Sequence, residues 1–120
     1  MSTLYLGVMS GTSLDGVDAV LVDFANGVHV LGHSHRPYPD PLRATFSSLN
    51  QSGEHELHRA ALAGNALAKL YAQTCQDLLT RLGVGAAQIS ALGAHGQTVR
   101  HQPAQHDGVG YSWQINNPSL

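Results

Sequence analysis

The sequence predicts an α/β fold with a mixed sheet, and three observations support that class. Three short apolar runs near the N-terminus are separated by turn-forming residues, a pattern typical of an antiparallel three-strand meander. A long stretch with helical periodicity follows, and a further short apolar run comes after it. A strand reached through a helical crossover tends to lie parallel to an earlier strand, so the predicted sheet contains both orientations.

The first three strands are predicted over residues 3–9, 17–24 and 28–35. Ala25-Asn26-Gly27 joins the second strand to the third, because Asn-Gly favours the turn of a tight hairpin. The linker between the first two strands is chemically richer than a hairpin turn requires.

Two helices are predicted next. The first covers residues 42–49, with Asp40 as its N-cap and Pro41 at its first position. The second covers residues 54–82 and ends at Gly83. Its apolar residues repeat with a period of about 3.6, which predicts one buried face formed by Leu57, Ala60, Ala61, Gly64, Leu67, Ala68, Tyr71, Cys75, Leu78, Leu79 and Leu82.

Three further short strands are predicted over residues 89–94, 98–101 and 111–115. Asn117 before Pro118 has the pattern of an N-cap followed by proline at the first helical position, so another helix is predicted to begin there. Because a domain rarely stops at such a point, we expect the chain to be a fragment or a truncated gene product.

Composition limits the class of protein and its partners. The chain has 120 residues, of which 12% are charged and 42% hydrophobic, which is typical of one modest globular domain. A net charge of −2 without a Lys/Arg run argues against a nucleic-acid partner. No apolar run reaches membrane-spanning length and no signal peptide is predicted. Cys75 is the only cysteine, which excludes an internal disulfide and fits a reducing compartment.

The linker between the first two strands has the composition of a phosphate-binding loop. Residues 10–16 hold two glycines, three small hydroxyl residues and one carboxylate. Glycine allows close backbone approach to an anion, and successive N–H groups in a turn form an anion-binding nest. Ser10, Thr12 and Ser13 add hydroxyl donors, and Asp15 can hold Mg²⁺ directly or through water. From composition alone, an ordinary Gly/Ser-rich hairpin loop is the alternative.

A second polar segment, His95-Gly96-Gln97-Thr98, lies between two predicted strands. Loops beyond the carboxyl ends of parallel strands are the usual ligand site of open α/β sheets. The segment is therefore a candidate ligand site, and a loop stabilised by its own side chains is the alternative.

Eight histidines raise the question of a metal site. His33 and His35 share one strand face, and His55 and His58 share one helix face. Neither pair brings an obvious third ligand, so structural histidines are the favoured interpretation. Cys75 falls on the apolar face of the long helix and is predicted to be a core residue.

Three segments stand out as motifs. The first is Gly7-Val8-Met9-Ser10-Gly11-Thr12-Ser13-Leu14-Asp15-Gly16-Val17-Asp18. The second is Gly93-Ala94-His95-Gly96-Gln97-Thr98-Val99-Arg100-His101-Gln102-Pro103, and the third is Gln114-Ile115-Asn116-Asn117-Pro118-Ser119-Leu120. In this order they resemble the anhydro-N-acetylmuramic acid kinase family, and the resemblance runs from end to end. One departure is Asn116, where the family usually has glycine.

The resemblance implies a ribonuclease-H-like fold of the actin and hexokinase type. Residues 1–120 would form the incomplete N-terminal lobe, and the remainder of that lobe and the second lobe would lie beyond them. In this class the first hairpin carries a phosphate-binding loop, which is where the Gly/Ser/Thr/Asp linker falls. The predicted meander, helical crossover and following strand agree with this class.

The resemblance also implies an activity and its site. The family converts 1,6-anhydro-N-acetylmuramic acid to N-acetylmuramic acid 6-phosphate with ATP and Mg²⁺ and with hydrolytic ring opening. The implied setting is the cytoplasmic recycling of bacterial peptidoglycan. Asp15 would organise the metal, and His95, Gln97 and Thr98 would bind the sugar. The ATP-binding segment would consist of Gly11, Thr12, Ser13, Leu14, Asp15, Gly16, Val17 and Asp18.

Some roles stay open at this stage. Asp18 could instead cap the turn or begin a strand, and Arg100 could pair with the lactyl carboxylate of the sugar or lie exposed at a strand end. The catalytic aspartate and the adenine pocket would lie beyond residue 120, so the chain alone is expected to be inactive. The complete enzyme is expected to be a homodimer. The alternatives are a non-catalytic nucleotide- or sugar-binding half-domain and a kinase of the same fold for another sugar.

Overall fold

The chain folds around a four-stranded sheet with one long helix packed across it. The computed structural model describes residues 2–120. In chain order the elements are β1 (Leu4–Ser10), β2 (Gly16–Asp23), β3 (His29–Pro37), α1 (Asp40–Ser48), α2 (Glu56–Leu82), β4 (Ile89–Ala94), β5 (Gln97–Pro103) and β6 (Gly110–Ile115). A single 3₁₀ turn, Ala86–Gln88, precedes β4.

The sheet has the strand order β3-β2-β1-β4. β2 pairs with both β1 and β3 in antiparallel orientation, whereas β4 pairs with β1 in parallel. These pairings confirm the predicted α/β class with a mixed sheet and a three-strand meander. β5 and β6 form a separate antiparallel hairpin, in which β5 is longer than predicted.

The core lies between α2 and one face of the sheet. Alternate residues of a strand share a face, and the buried set from β1 and β2 comprises Leu6, Val8, Val17, Ala19 and Leu21. Leu67 and Leu78 of α2 are fully buried against the core cluster. Gly32 makes room for this helix, because a Cβ atom there would lie 2.6 Å from Leu82 Cδ1.

Most of the predicted apolar face of α2 is buried, including Cys75. Leu57 and Ala61 are exposed, so the prediction was wrong for these two residues. The start of α2 lies beside α1, where Arg59 Nη1 donates to Ser48 Oγ at 2.6 Å. The apolar periodicity therefore continues to this end of the helix, although the side chains of Leu57 and Ala61 are exposed.

α1 begins earlier than predicted, and its N-cap is Pro39 rather than Asp40. The Pro39 carbonyl oxygen accepts the N–H groups of both Leu42 and Arg43 at 3.0 Å, so helical hydrogen bonding starts from Pro39. Asp40 is the first helical residue, and its negative charge interacts favourably with the positive end of the helix dipole.

The face of the sheet opposite α2 carries exposed apolar side chains, among them Tyr5 and Met9 of β1. β4 forms one edge of the sheet, and its Leu92 is 49% exposed. None of the helices within residues 2–120 combines the length and hydropathy that a membrane crossing requires.

The C-terminal residues form a turn. Leu120 N–H donates to the Asn117 carbonyl oxygen at 3.2 Å. The start of a helix at Asn117-Pro118 stays a prediction, because residues 117–120 form only this one turn.

Candidate functional site

The phosphate loop, defined here as residues 11–15, closes the hairpin between β1 and β2. Leu14 N–H donates to the Gly11 carbonyl oxygen at 3.3 Å, and Leu14 takes a positive φ of 57°. Thr12, Ser13 and Asp15 are exposed, and Ser13 Oγ donates to Asp15 Oδ1 at 3.0 Å. The loop therefore presents hydroxyl groups and a carboxylate to solvent.

The C-terminal end of the phosphate loop is held tightly against β3. A Cβ atom at Gly16 would lie 2.2 Å from the Arg36 carbonyl oxygen, so only glycine fits there. The Asp15 carbonyl oxygen accepts the Tyr38 N–H at 3.1 Å, and Arg43 Nε donates to the Leu14 carbonyl oxygen at 2.8 Å. The loop's backbone is thus fixed by neighbouring elements.

A buried pair of polar side chains connects the phosphate loop to β5. Tyr38 and Gln97 are 3% and 0% exposed, and Tyr38 Oη donates to Gln97 Oε1 at 2.8 Å. Gln97 Nε2 donates to the Gly11 carbonyl oxygen at 3.2 Å and to the Thr98 carbonyl oxygen at 3.0 Å. Burial raises the pKa of the Tyr38 hydroxyl above its usual range, so this group stays a protonated donor.

His95 continues β4 beyond Ala94, at the end of the sheet where the phosphate loop follows β1, since its N–H donates to the Val8 carbonyl oxygen at 3.0 Å. The exposed ring donates from Nδ1 to the Gly96 carbonyl oxygen at 2.6 Å, and its Nε2 accepts from Gln114 Nε2 at 3.2 Å. Tyr71 Oη donates to the His95 carbonyl oxygen and lies 3.5 Å from Ser10 Oγ. Buried contacts therefore join the ends of the parallel strands β1 and β4.

Two concave surfaces adjoin these segments. Thr12 of the phosphate loop and Thr98 of β5 line the same cleft, of about 270 Å³, between them and α1. A larger, mainly apolar groove of about 750 Å³ lies beside Gly96 and Gln114. The structure thus brings Thr98 to the phosphate loop and directs the His95 ring toward Gln114.

Asp18 lies apart from the Asp15 carboxylate, within β2. It pairs with Met9 on the sheet face opposite α2, and its Oδ1 accepts from His33 Nε2 at 2.9 Å and from His35 Nδ1 at 3.1 Å. Partial burial raises the pKa of the Asp18 carboxyl, but the hydrogen bonds and charges of the two histidines outweigh it and lower the pKa overall. Asp18 is therefore a strand residue in a polar cluster.

Arg100 is buried, so the alternative of an exposed side chain at a strand end is wrong, and the pairing with a sugar carboxylate stays a prediction. Its guanidinium donates to the Leu49 carbonyl oxygen at 2.8 and 3.1 Å and to Glu56 Oε2 at 2.9 Å. The same group lies 5.3 Å from the Trp113 ring centroid, and its hydrogen bond lowers the pKa of the Glu56 carboxyl. Arg100 thus joins β5 to both helices.

The exposed donors of the phosphate loop fit a magnesium ion with phosphates. Mg²⁺ takes oxygen ligands, keeps several waters and is often held by one or two carboxylates plus the phosphates. Asp15 with the adjacent Ser13 hydroxyl provides such oxygen donors. Within residues 2–120 there is no group of three or more His, Cys, Asp or Glu side chains that could hold a metal ion by themselves.

Sequence reasoning missed the residues that support the site. Tyr38 and Arg43 hold the phosphate loop, and the hydroxyl of Tyr71 holds the start of the His95 segment. Tyr71 was predicted only as an apolar-face residue. The available signal for Tyr38 was an aromatic residue placed between Pro37 and Pro39 and close to a helix start.

Fold and site together define a class of protein. The first hairpin of this α/β chain presents a loop rich in glycine and hydroxyl groups, beside the carboxyl ends of the parallel strands β1 and β4. This arrangement is consistent with the N-terminal domain of a sugar kinase. Residues 3–120 match the family described as anhydro-N-acetylmuramic acid kinase. The chain belongs to that family.

Similar proteins carry the same family name. A protein named anhydro-N-acetylmuramic acid kinase from Variovorax paradoxus is 59% identical over 98% of this chain and 32% of its own length. Proteins of that name from Albidiferax ferrireducens and Cupriavidus pinatubonensis are 53% and 52% identical, over 100% and 97% of this chain and 31% of their own lengths. The chain thus spans about a third of the length of these relatives.

Proposed function

We propose that the complete gene product is an ATP-dependent kinase that converts 1,6-anhydro-N-acetylmuramic acid to N-acetylmuramic acid 6-phosphate. One water is added across the 1,6-anhydro bond, and the oxygen freed at C6 receives the phosphoryl group from ATP, which leaves as ADP. The reaction belongs to peptidoglycan recycling in the cytoplasm, and the complete enzyme is a homodimer. Family membership and the names of the relatives support the proposal.

The observation that carries the proposal is the meeting of two motifs at one cleft. Thr12 of the first motif and Thr98 of the second line the same cavity of about 270 Å³. Gln97 joins the two motifs directly through its hydrogen bond to the Gly11 carbonyl oxygen. A transfer enzyme needs its phosphate donor and its acceptor side by side, because catalysis of phosphoryl transfer rests mainly on positioning and charge stabilisation.

ATP is proposed to bind with its phosphates at the segment from Gly11 to Asp18. The exposed Thr12 hydroxyl is available as a donor, whereas the Ser13 hydroxyl donates to Asp15 Oδ1 at 3.0 Å. The Asp15 carboxylate would hold Mg²⁺ directly or through water. When bound, the ion neutralises phosphate charge. Asp18 would act indirectly, through β2, because its carboxylate is engaged by two histidines.

The sugar is proposed to bind beside the second motif. The partly buried Thr98 side chain in the shared cleft and the exposed His95 ring are the candidate contacts. A sugar contact by Gln97 stays a prediction. Its amide is already engaged with Tyr38, Gly11 and Thr98, so contact with the sugar would require these hydrogen bonds to break. A ribonuclease-H-like lobe is the proposed fold, and the meander followed by a parallel fourth strand supports it. The general base would come from outside these 120 residues.

A panel of acceptors tests the function. The complete gene product is incubated with MgATP and 1,6-anhydro-N-acetylmuramic acid, N-acetylmuramic acid, N-acetylglucosamine or glucose, and ADP release is followed. We expect the anhydro sugar to give the highest kcat/KM. Preference for another sugar would favour a different kinase of the same fold, and nucleotide binding without ADP release would favour a non-catalytic module.

A further inference from the structure

Tyr38 is connected to both ends of the phosphate loop. Its backbone N–H donates to the Asp15 carbonyl oxygen at 3.1 Å. Its hydroxyl donates to Gln97 Oε1 at 2.8 Å, and Gln97 Nε2 donates to the Gly11 carbonyl oxygen at 3.2 Å. One residue therefore fixes the C-terminal end of the loop directly and the N-terminal end through a single amide.

Tyr38 is itself held rigidly. It is 3% exposed, and its ring centroid lies 5.1 Å from that of Phe46 in α1. It stands between Pro37 and Pro39, and the proline that follows restricts Tyr38 to extended backbone conformations. A residue fixed in this way can hold a loop at a constant span.

Both N–H groups and the carbonyl oxygen of the Gln97 amide already have partners within the fold. Its Oε1 accepts from Tyr38, and its Nε2 donates to the Gly11 and Thr98 carbonyl oxygens. The side chain is 0% exposed. Turning the Gln97 amide toward a ligand would break its hydrogen bond to Gly11 and so release the phosphate loop. It would also leave buried polar groups without partners, which costs free energy.

We propose that Tyr38 is a positioning residue for the nucleotide. Tyr38 acts through Gln97 and holds the two ends of the phosphate loop at the distance that lets the donors of the loop meet the ATP phosphates. The same pair couples that loop to Thr98, so that the proposed phosphate-binding and sugar-binding segments keep a fixed relation. This inference rests on the proposed kinase function. Displacements of about 1 Å in such supports can cost about 100-fold in rate.

Two variants of the complete gene product test the proposal. Tyr38→Phe removes only the hydroxyl, and Gln97→Met removes the amide while it keeps the length of the side chain. We expect each variant to raise the KM for MgATP about tenfold, as is typical for a lost supporting contact, with less than a twofold change in the KM for the sugar. Because the two residues act in series, the double variant should be no worse than the more damaged single variant.

Tyr5→Phe is the matched control, since Tyr5 is a partly exposed tyrosine on β1 whose ring contacts Phe24. It should leave both KM values unchanged. A Tyr38→Phe variant with unchanged KM for MgATP would overturn the proposal. So would a rise in the KM for the sugar alone in either variant, which would assign Gln97 to the sugar.

A binding measurement separates this proposal from the proposed function. The Kd of MgATP for wild type and Tyr38→Phe is measured by calorimetry without sugar, together with thermal unfolding. If wild type binds MgATP without turnover, the kinase assignment fails, and a tenfold weaker Kd in Tyr38→Phe at an unchanged Tm still supports the positioning role. Equal Kd values, or a wild type that binds no nucleotide, would overturn that role.

Discussion

Asp15 is the residue on which the proposed metal chemistry depends. Asp15→Asn keeps the size of the side chain and its contact with Ser13 but removes the negative charge. We expect kcat of the complete gene product to fall about 100-fold with the fold intact, as is common when an electrostatic contact to the transition state is lost. The measurement is steady-state kinetics across a range of Mg²⁺ concentrations.

Asp40→Asn is the control for this change, because the Asp40 side chain is 96% exposed and its nearest ionic contact, Arg43, lies 3.9 Å away. It should leave kcat unaltered. Full activity in Asp15→Asn would remove Asp15 from the magnesium role.

The Asp18 carboxylate gives a pH-dependent prediction. Burial raises the pKa of this carboxyl. Hydrogen bonds from His33 and His35 lower it by more, so the folded pKa lies below the usual value. A carboxyl with a depressed folded pKa stabilises the fold above its unfolded pKa of about 4, and that stability is lost as pH falls through the folded pKa. The His33→Ala/His35→Ala variant should therefore raise the Asp18 pKa.

Carboxyl-carbon NMR titration of the complete gene product measures this change. The difference in unfolding free energy between wild type and the double variant should disappear in acid, below the folded pKa. His58→Ala on the exposed side of α2 is the control and should leave the Asp18 pKa in place. An unchanged Asp18 pKa in the double variant would show that the two histidines do not cause the lowered pKa.

At the scale of the elements, the hairpin between β1 and β2 depends on the close approach at Gly16. A methyl group there would meet the Arg36 carbonyl oxygen at 2.2 Å, and backbone atoms cannot move aside easily. We expect Gly16→Ala to lower the free energy of unfolding by about 2–4 kcal/mol, as overpacking against backbone does. Urea denaturation measures it, and Gly85→Ala, whose nearest contact would be Gln88 Oε1 at 3.6 Å, should change stability little.

Arg100 joins β5 to α1 and α2 through Leu49 and Glu56. Lysine keeps the charge but cannot reproduce the planar fork of donors, so Arg100→Lys should cost about 1–3 kcal/mol of unfolding free energy. The reverse exchange, Lys69→Arg on an exposed position of α2, should fall within about 0.5 kcal/mol of wild type. Equal stability of Arg100→Lys and wild type would show that the planar fork of donors adds no stability beyond that of a single ammonium group.

Sequence patterns located the elements well because strands and helices are set by local periodicity. The four strands of the main sheet and both helices lie within a few residues of their predicted bounds. Burial of polar side chains was harder to predict, since Arg100 and Gln97 acquire their partners only when distant elements meet. Exposure of Leu57 was missed for the related reason that periodicity does not reveal which positions of a helix another element covers.

At the scale of the whole molecule, the candidate site stays a prediction that rests on motifs rather than on geometry. The structure brings the phosphate loop and the segment after β4 close together, because β1 pairs with β4 in parallel. Gln97, which joins them, lies in the second motif, but its partner Tyr38 carries no motif that a single sequence reveals.

The molecule also leaves apolar surface uncovered at the groove of about 750 Å³ between α2, β4 and the C-terminal turn. The relatives are about three times as long as this chain, which covers 32% of the first of them. We therefore expect the 120-residue chain on its own to show no kinase turnover, measured beside the complete gene product under identical conditions. Turnover by the isolated chain would contradict the placement of the general base outside it.

The most direct measurement of the central claim is mass spectrometry of the product that the complete gene product makes from 1,6-anhydro-N-acetylmuramic acid and MgATP in ¹⁸O-labelled water. The account predicts a ring-opened sugar that carries one phosphoryl group and one labelled oxygen, formed in equal amount with ADP. A sugar that stays unphosphorylated, or one phosphorylated with its anhydro ring retained, would contradict it.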